Sequence, residues 1–568
     1  MLKGKGISKG IGIGRAVILK KQKIEIEKNN IENTELELKR LDLALEEVIK
    51  ETENTIAVLE KESNKEQLEI MKAYLMILQD ETLLEKAKII IKEESLNSVY
   101  ATKKGLDEII ANFRNLDNDY LAERAKDIED IKTRIISKLL NKHEEKVEKL
   151  ESNTIIIAEE LTTFDISKIN LKYVTGIISE IGGANSHVSI IARNKQIPTV
   201  IRISGIAEKI KNGDIVIING ETGEIHVNPS IEEMEKYKEQ QIAEKKEKIK
   251  LEEYVNKTAQ TKDGYKVEIS CNIGKPADLD EVLNVGADGI GLFRTEFLFM
   301  DSKQMPSEEE QFESYKKVAE VMKNKLSIIR TLDAGGDKNI PYLNLEKEEN
   351  PFLGYRAIRL CLDNVGMFKI QLRAILRASA YGNLAIMFPM ISKIEELKLA
   401  KEILEECKKE LELKKIPYNK EIKVGMMIEV PATAIMAEVF AKECDFFSIG
   451  TNDLIQYTLA AERGNSKIAN IYTKNHPAVI KLLKNTIDAA HNNGIFCGMC
   501  GEAASNIHYI PFLIGLGLDE FSMNSSDILV TKKIITNLNK KQCEILAEEV
   551  LKVSSDKEVE EILKEFKY

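Results

Sequence analysis

A chain of 568 residues, 43% hydrophobic and 31% charged, is long enough for roughly three or four domains with sizeable cores. Its net charge of −11 argues against a nucleic acid or an acidic membrane surface as partner of the whole protein, and suits a partner with a basic face. Seven irregularly spaced cysteines, no apolar signal core in MLKGKGISKG and no run of about eighteen apolar residues predict a reduced, cytoplasmic protein without a membrane span.

In chain order, the first 20 residues are glycine-rich and then β-like. Between Glu25 and His143, segments such as LELKRLDLALEEVIKETENTIAVLEK and DYLAERAKDIEDIKTRIISKLL place apolar residues three and four apart, with no proline among them. That spacing predicts a bundle of amphipathic helices over 25–143. Strand patterns return at NTIIIAEEL (153–161), YVTGIISEIG (173–182) and GDIVIINGETGEIHVNP (213–229), the last with a hairpin around Glu221-Thr222-Gly223. The bundle thus reads as an insertion into one α/β domain assembled from residues 1–24 and 144–230. IEEMEKYKEQQIAEKKEKIKLEEYV (231–255) is dense in charge and sustains no heptad, which predicts a solvated helix inside a linker over 231–260.

From 261 to 568 one texture recurs eight times: a short apolar run, then polar or glycine-rich residues, then usually a helical pattern. The runs start at VEISCNIG (267–274) and ADGIGLFRTEF (287–297) and end at IFCGMCGE (495–502) and LDEFSMN (518–524). Eight buried strands alternating with helices predict a (β/α)₈ barrel, so the chain as a whole is a multidomain α/β protein. In such barrels chemistry sits at the C-terminal strand ends. Those ends collect Arg294, Arg330, Asp333, Glu429, Asn452, Asp453, Cys500 and Glu502, with Arg356 and Arg463 in segments that follow strands. Glu429 and Asp453 offer the hard oxygen ligands of a magnesium site, and the arginines match a ligand bearing carboxylate and phosphate oxygens. Cys497 and Cys500 have C-x-x-C spacing, but no second pair accompanies them. Cys497 reads as a buried thiol, and Cys500, at a strand end, as a proton-exchanging group.

One of only six histidines follows a glycine pair in EIGGANSHVSIIARNKQIP (180–198). Gly182 and Gly183 suit a tight turn with positive φ, and a helix is expected to begin near Ser186. His187 then falls in the first turn, where the dipole disfavours the imidazolium, favours a neutral nucleophilic ring and stabilises an anion. The other five, His143, His226, His476, His491 and His508, read as structural.

GGANSHVSIIAR resembles the phosphohistidine motif of PEP-utilising enzymes. RTEFLFMD (294–301), RTLDAGGDK (330–338), ENPFLGYRAIR (349–359), FSIGTNDLIQYTLAAERGN (447–465) and GMCGE (498–502) resemble the phosphoenolpyruvate (PEP) site of the enzyme I family of the bacterial sugar phosphotransferase system. The likeness runs essentially end to end and includes YLAERAKDIEDI (120–131). It implies that His187 accepts a phosphoryl group from PEP and passes it to a histidine of the carrier HPr. It further implies that Arg294, Arg330, Asn452 and Arg463 hold PEP, that Arg356 and Lys338 contact phosphate, and that Glu429 and Asp453 bind Mg²⁺. Cys500 would protonate enolpyruvate, the bundle would dock HPr and the barrel would form a homodimer. Because His187 and the rim fall in separate domains, a swivel is expected at 231–255.

Three positions depart from the family. Asn185 stands where threonine is common before Ser-His, Ile166 where a hydroxyl could bond the active imidazole, and Val430 where threonine usually follows the metal-binding glutamate. Rival readings are weaker. A pyruvate phosphate dikinase or PEP synthase would need an ATP-grasp domain, a regulatory phosphorelay paralogue often carries an added sensor domain, and a non-catalytic PEP sensor would lack one of His187, Glu429, Asp453 or Cys500.

Overall fold

The computed structural model describes residues 2–19, 26–61, 65–114, 119–142, 150, 153–183, 186–300, 302, 304–336, 338, 340–346, 348–465 and 467–568. Two compact units divide the chain, Met1–Lys246 and Glu247–Tyr568.

The first unit is built on a sheet of eight strands: β1 (Leu2–Lys3), β2 (Lys5–Ser8), β3 (Ile11–Leu19), β4 (Thr154–Ala158), β5 (Val174–Ser179), β6 (Thr199–Ile201), β7 (Ile215–Asn219) and β8 (Glu224–Val227). Their order is β1-β8-β7-β3-β4-β5-β6-β2. Strands β3 to β6 pair in parallel, while β7, β8 and the two short N-terminal strands pair antiparallel. A central parallel strand covered on both faces reads as an unbroken apolar run, and all five residues of β4, TIIIA, are buried. The two-residue period sorts them. Ile155 and Ile157 pack with Ile178, Val200 and Ile206 on one face, and Ile156 and Ala158 with Ile177, Ile191 and Ala192 on the other. Each such isoleucine contributes about 1.5–3 kcal/mol relative to an exposed one.

Between β3 and β4 the described residues form five helices, α1 (Thr34–Lys61), α2 (Lys65–Leu78), α3 (Glu85–Glu94), α4 (Ser98–Arg114) and α5 (Asp119–Leu139). Leu41, Val48, Met71, Ile91, Leu106, Ile131 and Ile135 lie in their shared core. The glycine of this region permits a close crossing, because a Cβ on Gly105 of α4 would stand 2.9 Å from the Ala87 backbone nitrogen of α3.

Four more α-helices follow among the described residues of this unit: α6 (Thr163–Lys168), α7 (His187–Asn194), α8 (Ile206–Lys209) and α9 (Ile231–Glu252). The hairpin expected near Gly223 is β7–β8, and Gly223 takes φ +76°. On α9, Tyr237 is buried with Ile11 and Ile217, and Gln241 donates to the Ile11 carbonyl at 2.9 Å. His226 bridges the Glu233 carboxylate and the Tyr237 hydroxyl, each at 3.0 Å, so this histidine is structural. His476 caps a helix by accepting from the Ala478 N–H, and His491 pairs with Asp519. His143 lies outside the described residues.

The second unit is a closed barrel of eight parallel strands: β9 (Glu268–Ile273), β10 (Gly289–Arg294), β11 (Ser327–Arg330), β12 (Leu384–Phe388), β13 (Lys423–Ile428), β14 (Phe446–Ile449), β15 (Phe496–Met499) and β16 (Glu520–Met523). Each of the eight apolar runs in the sequence became one strand. Leu292, Ile328, Ala385, Met387, Met427, Phe446 and Cys500 form one buried cluster, and the alternate residues of the same strands join the core shared with the surrounding helices. Among the described residues, no helix is long and apolar enough to cross a membrane.

Candidate active site

The strand ends of the barrel gather a buried network of charge. Arg330 closes β11, and its guanidinium meets the Glu296 carboxylate at 2.6 Å and Asp333 at 3.2 Å. Lys338 reaches the same two carboxylates, Asp333 at 2.6 Å and Glu296 at 2.9 Å. Arg356 donates to the other Asp333 oxygen at 2.9 Å, to the Tyr457 hydroxyl at 3.1 Å and to Asp453 at 3.5 Å. Backbone geometry makes room for this. Gly335 sits at φ +97°, and a Cβ there would lie 2.7 Å from the Arg356 Cβ.

Burial alone would push Asp333 toward its neutral form, but Lys338, Arg330 and Arg356 hold it well below the ordinary carboxylate range. Burial likewise opposes the Glu296 charge, and Arg330 and Lys338 overcome it. Arg330 and Arg356 remain firmly charged. In both, nearby carboxylates outweigh burial, Glu296 and Asp333 for the first, Asp333 and Asp453 for the second. Half-buried Arg294 differs, since burial and the neighbouring Arg330 lower its proton affinity.

Across the rim, Glu429 follows β13 and is 1% exposed. One carboxylate oxygen accepts the Met390 N–H at 2.6 Å. Burial, then Asp453, then Asp333 push it up to about 8. A buried carboxylate facing a second one is a poor arrangement for two anions and a suitable one for a hard divalent cation. The donor chemistry therefore fits magnesium, although no group of three or more His, Cys, Asp or Glu side chains among the described residues is arranged to hold a metal.

Cys500, just past β15, is buried, and burial raises its thiol to about 11, so it carries its proton at neutral pH. Asn452 and Glu502 exchange two long hydrogen bonds of 3.4 Å, and exposed Arg463 donates its backbone N–H to Gln456. The barrel thus brings together Arg294, Arg330, Lys338, Arg356, Glu429, Asn452, Asp453, Arg463 and Cys500. Cys497 is also buried, with its thiol raised by burial.

Some partners escaped the sequence reading. Glu296 lies inside RTEFLFMD, yet nothing in the spacing linked it to Arg330 or Lys338. Gln371 accepts from the Leu332 N–H and donates to Thr295, tying the ends of β10 and β11 together from a helix.

In the first unit, Ser186 caps α7 by accepting the Ser189 N–H at 3.3 Å, and His187 is the first helical residue. The Ser189 hydroxyl donates to the Gly183 carbonyl at 2.7 Å and fixes the loop ahead of the helix. Contrary to expectation, Gly182 does not take a positive φ. A small cavity of about 90 Å³ beside this helix start is lined by Ser186 and Ser189 together with Tyr74, Lys126, Asp130 and Thr162. Ile166, the expected gap in hydroxyl chemistry, is buried in the core below α7. Asn185 lies outside the described residues, and Val430 caps the short helix Pro431–Ile435.

Comparison with known proteins covers the whole chain. Residues 3–124 match the family described as PEP-utilising enzyme, N-terminal, residues 150–223 its mobile domain, and residues 248–540 its PEP-binding domain. The phosphoenolpyruvate-protein phosphotransferase of Bacillus subtilis (strain 168) is 44% identical over 564 residues, 99% of each chain. That of Priestia megaterium is 44% identical over 567 residues, 99% of this chain and 98% of the other. That of Staphylococcus carnosus (strain TM300) is 41% identical over 565 residues, 100% of this chain and 99% of the other.

Proposed function

The chain belongs to the phosphoenolpyruvate-protein phosphotransferase (enzyme I) family, and from that premise we propose how its residues divide the reaction. The enzyme moves the phosphoryl group of PEP through a phosphohistidine to a histidine of the carrier HPr and releases pyruvate, the first step of the sugar phosphotransferase system. His187 is the phosphorylated residue. It opens α7, and the N-terminal end of a helix favours the anionic cargo.

Arg294, Arg330, Lys338, Asn452, Arg356 and Arg463 hold PEP, the cations neutralising charge that spreads over the phosphoryl oxygens in a loose transition state. Glu429 and Asp453 hold Mg²⁺, which when bound supplies further neutralisation on the phosphate and enolate oxygens. Cys500 gives its proton to the departing enolate. Glu296 and Asp333 touch no substrate in this scheme; they fix the directions of Arg330, Lys338 and Arg356.

Residues 1–24 and 144–230 form the phosphohistidine domain, 25–143 the HPr-docking module, 231–260 the linker and 261–568 the PEP-binding, dimerising barrel of a cytoplasmic protein. The single observation that carries the reading is the rim itself: cations locked by buried carboxylates, set opposite a repelling carboxylate pair and a protonated thiol.

The test is to mix the protein with labelled PEP, Mg²⁺ and HPr. Acid-labile label on His187 and then on HPr is expected. His187→Ala should lose all transfer while the barrel still binds PEP; label appearing on that variant would overturn the assignment.

A further inference from the structure

Ser448 has so far had no task. It lies on β14 two residues beyond Phe446, which belongs to the barrel's inner cluster, so its side chain points inward too. Its register partner on β15 is Gly498, which leaves Cys500 as the next inward side chain of that strand toward the rim. Ser448 is fully buried, and its hydroxyl has no conventional hydrogen-bond partner among the described residues. The group it faces is the Cys500 thiol, which donates to the Ile449 carbonyl at 3.8 Å and whose ionisation Ser448 favours against the effect of burial. The main chain around that thiol is pinned. The Cys500 N–H donates to the Ile449 carbonyl at 3.1 Å, and its carbonyl accepts from Asn272 at 3.1 Å.

A buried hydroxyl without an acceptor is unfavourable, and a neutral thiol relieves it poorly. A thiolate would relieve it well, because hydrogen bonds to charged acceptors are the stronger ones. We propose that Ser448 is a positioning residue for the protonation of enolpyruvate, its hydroxyl donating to the thiolate that proton transfer leaves behind. The inference rests on the reading of Cys500 as proton donor. In the step, the S–H bond of Cys500 breaks as a C–H bond forms at the terminal carbon of the enolate, and the enolate oxygen becomes a carbonyl. Negative charge passes from the enolate to sulfur, where the Ser448 O–H meets it. Solvent returns a proton to sulfur once pyruvate has left. An interaction made only as the thiolate develops speeds the step without tightening substrate binding.

The experiment uses the full chain with PEP and Mg²⁺. It follows pyruvate formation by rapid quench, PEP affinity by calorimetry, and the pH midpoint of iodoacetamide alkylation at Cys500 by mass spectrometry. For Ser448→Ala the expected result is pyruvate formation slowed about ten- to a hundredfold, PEP affinity within about twofold, and an alkylation midpoint moved up by about one pH unit. Ser448→Thr should restore much of the rate. An unchanged midpoint and rate would overturn the proposal, as would a rate lost only in step with PEP affinity. Cys500→Ala separates the two readings. If it forms pyruvate at the parental rate, the proton-donor assignment itself fails; if it is slow while Ser448→Ala is not, only the role of Ser448 falls.

Discussion

The two sides of the barrel rim solve opposite electrostatic problems. Beyond β10 and β11, every buried carboxylate already has its cation: Asp333 is shared by Arg330, Lys338 and Arg356, and Glu296 by Arg330 and Lys338. Beyond β13 to β15 the groups are left wanting. Glu429 is raised to about 8 by burial and by Asp453, and Cys500 is raised to about 11 by burial. The first side has its charges paired as folded, with only Glu296 Oε2 and Arg330 Nε of this network left without a hydrogen-bond partner among the described residues. The second leaves charge unbalanced, and under the proposed function a cation would complete the carboxylates and an enolate would meet the thiol.

Removing a group from either side should have recognisably different consequences. The largest effect belongs to Cys500→Ala, expected to slow pyruvate formation by about 10²- to 10⁴-fold while PEP still binds, as rapid quench and calorimetry would register. Asp333→Asn breaks the paired side and strands three cations around a neutral amide. It should cost about 3–5 kcal/mol in denaturant unfolding, and a loss under about 1 kcal/mol would mean the network is not tightly buried.

Glu429 sharpens the contrast through pH. Its folded pKa lies above the ordinary 4.5, so the folded state retains a proton that the unfolded state gives up. Stability of the metal-free protein should therefore fall as pH rises from about 4.5 to 8, by at most about 4 kcal/mol. Added Mg²⁺ or Glu429→Gln should flatten that slope, which thermal melts across the range would reveal. The smallest effect is that of Asn452→Ala. With only long bonds to Glu502, it should change stability by no more than about 0.5 kcal/mol, while PEP affinity falls about three- to tenfold.

How much of this was visible in the residues follows from where the information lies. The barrel was legible because each inner strand is buried on both faces and so writes a short apolar run, and because polar residues that end such runs must gather at one rim. Arg330, Glu429, Asp453 and Cys500 were found by that rule alone. Glu296 was not, because its cations stand far along the sequence on other segments. Ser448 read as the alternate residue of FFSI and drew no notice. Gly182 was misjudged: it takes no left-handed φ, and a glycine pair by itself only permits such a turn.

Strands β3 and β4 are parallel neighbours, with Arg15 beside Thr154 and Leu19 beside Ala158. Parallel neighbours cannot be joined by a tight turn; some excursion of about a dozen residues or more is obligatory at this point. The five-helix bundle occupies that obligatory excursion. A module placed there can be replaced by another of different size or shape without altering the register of a single strand, which leaves the insertion free to diverge while the sheet carrying α7 stays as it is.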